Sequence, residues 1–189
     1  ALGAAYQSVF DSLSARRGTD VLTLADFIER VAVESDGLDG VGDVGLAREW
    51  LQSQSKLIWL TEEWFWRRPG ARNRYSLRAR KILSVSESVS IERLYDAFAR
   101  YDRVHQYSME FPEELLGELV AASDPDLRVL EDHLTAVREI RPESVLSDME
   151  LQMLGAIEGV GGVATLEQLS ASPTLSSANQ NTVVMALYH

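Results

Sequence analysis

The pattern TLADF at Thr23–Phe27 returns as SIERL at Ser90–Leu94 and as TLEQL at Thr165–Leu169. Each copy starts with a hydroxyl residue suited to cap a helix, followed by an apolar residue, two variable positions and a second apolar residue. A further helix-like segment precedes each copy. A repeat of roughly 70 residues therefore organises the chain, and it predicts three small helical modules in tandem.

The elements around each copy predict winged-helix modules, in the order helix, strand, helix, helix and two strands. The fold class is therefore mainly α with small β wings. The predicted divisions are a first winged helix (4–66), a basic linker (67–72), a second winged helix (73–140) and an incomplete third (146–189). In the third module Ser147–Glu150 forms a capping box, Thr165 and Gln168 form a second one at the next helix, and a last helix is predicted from about Ser176 to Leu187. Since this module lacks a wing, we expect the chain to be a piece of a longer protein.

The composition excludes several classes of function. The 189 residues include no cysteine, which removes disulfides, zinc–thiolate sites and thiol nucleophiles, and which is compatible with a reducing, cytoplasmic location. No apolar run approaches the ~20 residues that a membrane-spanning helix needs. His105, His133 and His189 are scattered without ligand-like or triad-like spacing. We therefore predict no catalytic residue, no metal site, no cofactor and no enzymatic activity.

Charge is strongly segregated along a chain whose net charge is −11. Residues 65–104 carry ten basic and four acidic side chains, whereas 143–189 carry five acidic and no basic ones. Seven basic residues lie within 15 positions that contain no acid: Arg67, Arg68, Arg72, Arg74, Arg78, Arg80 and Lys81. We call these seven residues the basic patch.

Clustered cations are what phosphate binding requires, because each contact releases counterions from the nucleic acid. Arg74, Arg78 and Lys81 are spaced to share one helix face, and nearby Trp64, Trp66 and Tyr75 could stack on bases or on an arginine. Two other interpretations stay open: ion pairs with acidic segments of this chain or of a partner, and contact with anionic lipid. Of the three, we predict duplex DNA as the partner, and we predict no contact with a membrane.

Sequence-specific contacts with DNA bases are expected from the third helix of a winged-helix module, because this helix enters the major groove. In the third module this helix offers Asn179, Gln180 and Asn181, side chains that can bind adenine edges, but it has no basic residue beside it to anchor phosphates. A polar solvent face is the alternative interpretation. The corresponding helix of the second module carries Glu113, Glu114 and Glu118 and is better suited to contact a protein.

The junction between the first two modules carries a resemblance to a known family. It reads WFWRRPGARNR at Trp64–Arg74, followed by ARKIL at Ala79–Leu83 and SIERL at Ser90–Leu94. This order resembles the tandem winged-helix repeats of bacterial transcription-associated proteins, and it is most similar to an actinobacterial sigma-factor-like group with helix-turn-helix domains. The resemblance implies DNA-linked regulation, without a defined operator.

Two functions follow as expectations. The first is a non-enzymatic, DNA-binding, transcription-associated regulator that contacts DNA through the basic patch, with the acidic modules contacting a protein partner or the rest of a longer chain. The second is an acidic winged-helix scaffold for protein–protein interaction without direct DNA binding.

Overall fold

The computed structural model describes residues 2–13, 21–35, 39–67, 74–104, 109 and 111–175, and they are mainly helical with two small three-stranded antiparallel sheets. The helices are α1 (Leu2–Ser12), α2 (Leu24–Glu34), α3 (Val44–Gln52), α4 (Arg74–Leu83), α5 (Ile91–Val104), α6 (Glu114–Ser123), α7 (Pro142–Val145), α8 (Asp148–Gly159) and α9 (Leu166–Ser170). The strands are β1 (Val21–Thr23), β2 (Leu57–Trp59), β3 (Trp64–Arg67), β4 (Ser88–Ser90), β5 (Leu127–Leu130) and β6 (His133–Ala136).

The first two units of the fold have the same order of elements. The first unit (residues 2–67) runs α1, β1, α2, α3, β2 and β3, and the second unit (residues 74–136) runs α4, β4, α5, α6, β5 and β6. In each unit the last strand is central, so the sheet orders are β1-β3-β2 and β4-β6-β5. In these two units the order of helices and strands agrees with the prediction, and the strand before the second helix pairs with the hairpin as the third strand of the sheet.

Capping explains where several helices begin. The Thr23 hydroxyl accepts a hydrogen bond from the Asp26 amide at 3.0 Å, and the Asp43 carboxylate does the same for the Leu46 amide at 3.0 Å. Side-chain oxygens at these positions satisfy amides that lack a partner within the helix. The predicted cap at Thr23 is therefore confirmed. Ser90 has a double role, since it ends β4 and its hydroxyl accepts from the Arg93 amide at 3.3 Å.

The first sheet lies between two hydrophobic cores, because successive side chains of a strand point to opposite faces. Phe65, in the middle of β3, packs into the core of the first unit, together with Leu22 from β1. Trp66, the next residue, packs into the core of the second unit, together with Val21. The first and second units are therefore joined through a shared layer of strands.

The third unit (residues 148–175) is smaller and has a core of its own, formed by Met153, Ala156, Leu169 and Leu175. Both predicted capping boxes, at the starts of α8 and α9, are confirmed. α9 has only five residues and is followed by a short 3-10 helix at Pro173–Leu175. The predicted last helix, 176–187, lies outside the described residues.

Candidate nucleic-acid interface

The basic patch begins at the end of β3 and continues along α4. One stripe of α4, formed by Tyr75, Ala79 and Leu83, is buried in the core of the second unit. An amphipathic helix places its remaining positions toward the surface and toward neighbouring elements. Arg74, Arg78, Arg80 and Lys81 occupy those positions, so their partners decide whether a phosphate could reach them.

Arg74 and Arg78 share one carboxylate, that of Asp102 on α5. The Arg74 guanidinium donates to Asp102 at 2.8 Å and the Arg78 guanidinium at 3.2 Å, while Asp102 itself is only 1% exposed. The Tyr75 hydroxyl lies 3.3 Å from the same carboxylate. The Arg78 guanidinium also stacks on Tyr101, 3.1 Å from the ring centroid. Charge-assisted hydrogen bonds of this kind hold α4 against α5.

Arg80 pairs with two aspartates at the end of α6. Its guanidinium donates to Asp124 through Nε and Nη2, the latter at 2.9 Å, and to Asp126 at 2.7 Å. The hydrogen bonds from Arg80 lower the pKa of Asp124, although burial opposes them. The same bonds raise the pKa of Arg80 above its usual value. A carboxyl with a lowered pKa stabilises the fold at neutral pH, and this stabilisation is lost as the pH falls through that pKa.

Lys81 reaches the third unit. Its ammonium group donates to Glu150 Oε1 at 2.6 Å, while Glu150 Oε2 accepts from the Ser147 amide at 2.7 Å and from the Ser147 hydroxyl at 2.8 Å. Burial raises the pKa of Glu150, but the bonds from Lys81 and Ser147 outweigh it, so the pKa lies below the usual carboxyl range. Glu150 therefore caps α8 with one oxygen and holds Lys81 with the other.

Arg67 faces the first unit. Its guanidinium lies 3.2 Å from the Asp11 carboxylate, donates to the carbonyl of Phe10, and covers the Phe10 ring at 4.5 Å from the centroid. Its side chain is 11% exposed. Arg68 and Arg72, the other two members of the basic patch, lie outside the described residues.

The five described cations of the basic patch face five carboxylates of the same chain. The carboxylates are Asp11, Asp102, Asp124, Asp126 and Glu150. A DNA phosphate would compete with these carboxylates for the same guanidinium and ammonium groups. Removing one partner from a buried pair leaves the other charge uncompensated, at a cost of roughly 3–5 kcal/mol.

Base stacking, one of the two roles considered for the aromatic residues beside the basic patch, is excluded for Trp66 and Tyr75 by their burial. Trp66 is 3% exposed and Tyr75 is 2% exposed, and both pack in the core of the second unit. Tyr75 does contact an arginine, since the Arg74 guanidinium lies 4.8 Å from its ring centroid. A buried ring has no face to offer to a nucleobase.

The helices that would enter a DNA groove also lack cationic surface. In α6 the residues Leu115–Gly117, Leu119 and Val120 are buried, while Glu113, Glu114 and Glu118 are exposed as expected. In α3 the Arg48 guanidinium donates to the Glu62 carbonyl at 2.7 Å and lies 5.0 Å from the Trp59 ring centroid. The predicted base-reading residues Asn179, Gln180 and Asn181 lie outside the described residues.

Sequence reasoning missed the carboxylates that pair with the basic patch, although one of them carried a signal. Leu94, Phe98 and Asp102 are spaced by four residues along α5, so Asp102 occupies a position of the apolar stripe. A charged residue on a buried stripe requires a partner of opposite charge. The partners of Arg80 and Lys81 are 44 and 69 residues away, and no local pattern marks them.

The part of the chain that the structure describes contains no group of three or more acidic or histidine side chains that could hold a metal ion. Its helices are all too short or too polar to cross a lipid bilayer. His133, expected at the tip of the second hairpin, is instead the first residue of β6, with Glu131 and Asp132 forming the turn.

Neither a protein-family model nor a curated protein nor a solved structure matches this chain. The resemblance to sigma-factor-like winged-helix proteins therefore stays a prediction.

Proposed function

We propose that this chain is a tandem winged-helix protein that acts as a protein–protein interaction scaffold. The winged-helix assignment is supported by the element order and by the central position of the last strand in both sheets. The scaffold role corresponds to the second of the two functions expected from the sequence.

The observation that carries this proposal is the pairing of the basic patch. Each of its five described cations meets a carboxylate within 3.2 Å, and those carboxylates come from α1, α5, α8 and the end of α6. The cations thereby tie α4 and β3 to their neighbours. In this role, clustered positive charge stabilises the arrangement of the units.

We propose that the partner binds the exposed acidic face of α6. Glu113, Glu114 and Glu118 are exposed on a helix whose other residues between Leu115 and Val120 are buried in the second unit. A rigid helix with outward carboxylates favours a partner surface rich in lysine and arginine, because electrostatic complementarity steers association and selects partners.

DNA binding is the competing function, and the density of the basic patch favours it. Seven cations lie within 15 residues, and Arg68 and Arg72 add to the five described ones. A phosphate would compete with the carboxylates that these cations already bind. We therefore expect weak binding that depends on overall charge, with no greater contribution from the cations of α4 than from other exposed cations.

A salt series separates the two functions. Fluorescence anisotropy with duplex DNA would compare the full chain with Arg74→Gln/Arg78→Gln and with the control Arg93→Gln/Arg103→Gln, which removes two exposed cations from α5. We expect both variants to weaken any binding equally, by loss of general charge. Binding whose salt slope falls by about two units in the α4 variant alone, roughly 0.9 per phosphate contact, would contradict the scaffold proposal.

A second experiment tests the scaffold role directly. The full chain and Glu114→Lys/Glu118→Lys would be used to capture partners, with Glu158→Lys/Glu167→Lys as the control of equal charge change in the third unit. We expect a partner that the wild type and the control retain and that the α6 variant loses. Identical partners for all three proteins would exclude α6 as the contact surface.

A further inference from the structure

The third unit is joined to the second by few contacts. Its core is separate from that of the second unit, and α7, which precedes it, packs against the second unit through Val145. Two residues after Val145, Ser147 caps α8. The position of α8 relative to α4 therefore depends on what holds the first turn of α8.

Lys81 and Glu150 meet at that turn. Their side chains are 28% and 11% exposed, and the Nζ to Oε1 distance is 2.6 Å. A pair this shielded from solvent is screened less by salt than a fully exposed pair. Glu150 is held in place by its bonds to Ser147, so Lys81 bonds to a carboxylate that is already oriented along α8.

We propose that the Lys81–Glu150 pair is an ionic latch: it holds the third unit in a fixed position against the second, and loss of the pair releases the third unit. The pair joins the last turn of α4 to the first turn of α8. Opening the latch leaves the capping box of α8 intact, because the Ser147 bonds use the other oxygen. The third unit then moves as a body about residues 146–147.

A groove beside the latch would respond to this motion. The groove has a volume of about 550 Å³, and it is lined on one side by the residues that follow α4 (83–87) and on the other by 138–140 and Pro142. The second wall leads directly into α7 and α8. Val85 is 53% exposed at this groove. Release of the third unit would therefore change the shape of this groove, which goes beyond the scaffold role.

The absence of cysteine allows the latch to be measured with spin labels. Exposed Arg93 on α5 and exposed Gln152 on α8 would be replaced by cysteine in the full chain, and the distance distribution between the two labels recorded. Lys81→Gln and Glu150→Gln would be compared in this background. Glutamine at position 150 removes the charge but still completes a capping box. Glu158→Gln is the control, since it makes the same change further along α8.

We expect a single narrow distance peak in the parent, its loss in Lys81→Gln and in Glu150→Gln, and no further change when both are combined. The control should retain the peak. A peak that survives either single substitution would overturn the latch. These results are independent of whether α6 binds a partner.

Discussion

The two sheets have the same strand order and register, but within the described residues the first sheet packs into two hydrophobic cores and the second into one. Their inner faces are alike: Leu22, Phe65 and Trp59 occupy in the first sheet the positions that Val89, Leu134 and Val129 occupy in the second. Their outer faces differ. Val21, Trp66 and Ile58 of the first sheet correspond to Ser88, Thr135 and Arg128 of the second.

This difference determines whether the sheet of one unit can pack against the core of the next unit. The outer face of the first sheet is apolar, so it packs into the core of the second unit. The equivalent positions of the second sheet hold serine, threonine and arginine. These polar side chains do not form an apolar face that could pack into the core of another unit. The third unit is consequently held through α7 and the Lys81–Glu150 pair.

The largest effect is expected from Trp66→Ala. Removal of a buried tryptophan takes away apolar contact and leaves a cavity, so the free energy of unfolding should fall by about 3–5 kcal/mol. Thr135→Ala at the equivalent position of the second sheet is the control, with an expected change below about 1 kcal/mol. Chemical denaturation followed by tryptophan fluorescence and circular dichroism would measure both. Equal losses in the free energy of unfolding would show that the outer face of the second sheet is packed as tightly as that of the first.

A smaller loss is expected from Asp102→Asn. The amide cannot compensate the charges of Arg74 and Arg78, so the free energy of unfolding should fall by about 3 kcal/mol. The matched control is Asp96→Asn, an exposed position on the same helix, α5. Denaturant titration of the three proteins would provide the comparison. If Asp102→Asn were as stable as the control, the pairing of the basic patch would not hold α4 in place.

The smallest effect concerns two helical glycines. A Cβ at Gly117 in α6 would lie 2.9 Å from Val129 on the inner face of the second sheet, whereas a Cβ at Gly155 in α8 would meet nothing within 4 Å. Gly155→Ala should therefore raise stability by about 0.5–1 kcal/mol through helix propensity. Gly117→Ala should lower it by about 1–2 kcal/mol, because overpacking outweighs that gain.

Thermal and denaturant unfolding of both alanine variants would test this difference in packing. Stabilisation by alanine at both positions would show that α6 can move away from β5 at little cost.

Local signals were sufficient to predict most of the elements. Hydroxyl residues at 23, 147 and 165 cap α2, α8 and α9 as expected, and the apolar runs around 57–60 and 64–66 form the first hairpin. The sequence did not mark the residues of β4, because Ser88–Ser90 is short and polar and its strand conformation depends on pairing with β6. The basic patch was recognised from its spacing, but its partners were not.

The sequence by itself determined where the capped helices α2, α8 and α9 begin, the repeated order of elements, and the segregation of charge, because capping, periodicity and composition act over a few neighbouring residues. Only the tertiary structure decided that Trp64–Arg67 forms the middle of a sheet between two cores, and that the described cations of the basic patch pair with carboxylates of the same chain. Lys81 and Glu150 are 69 residues apart in the sequence. Only long-range packing brings them together, so no local pattern could predict the pair.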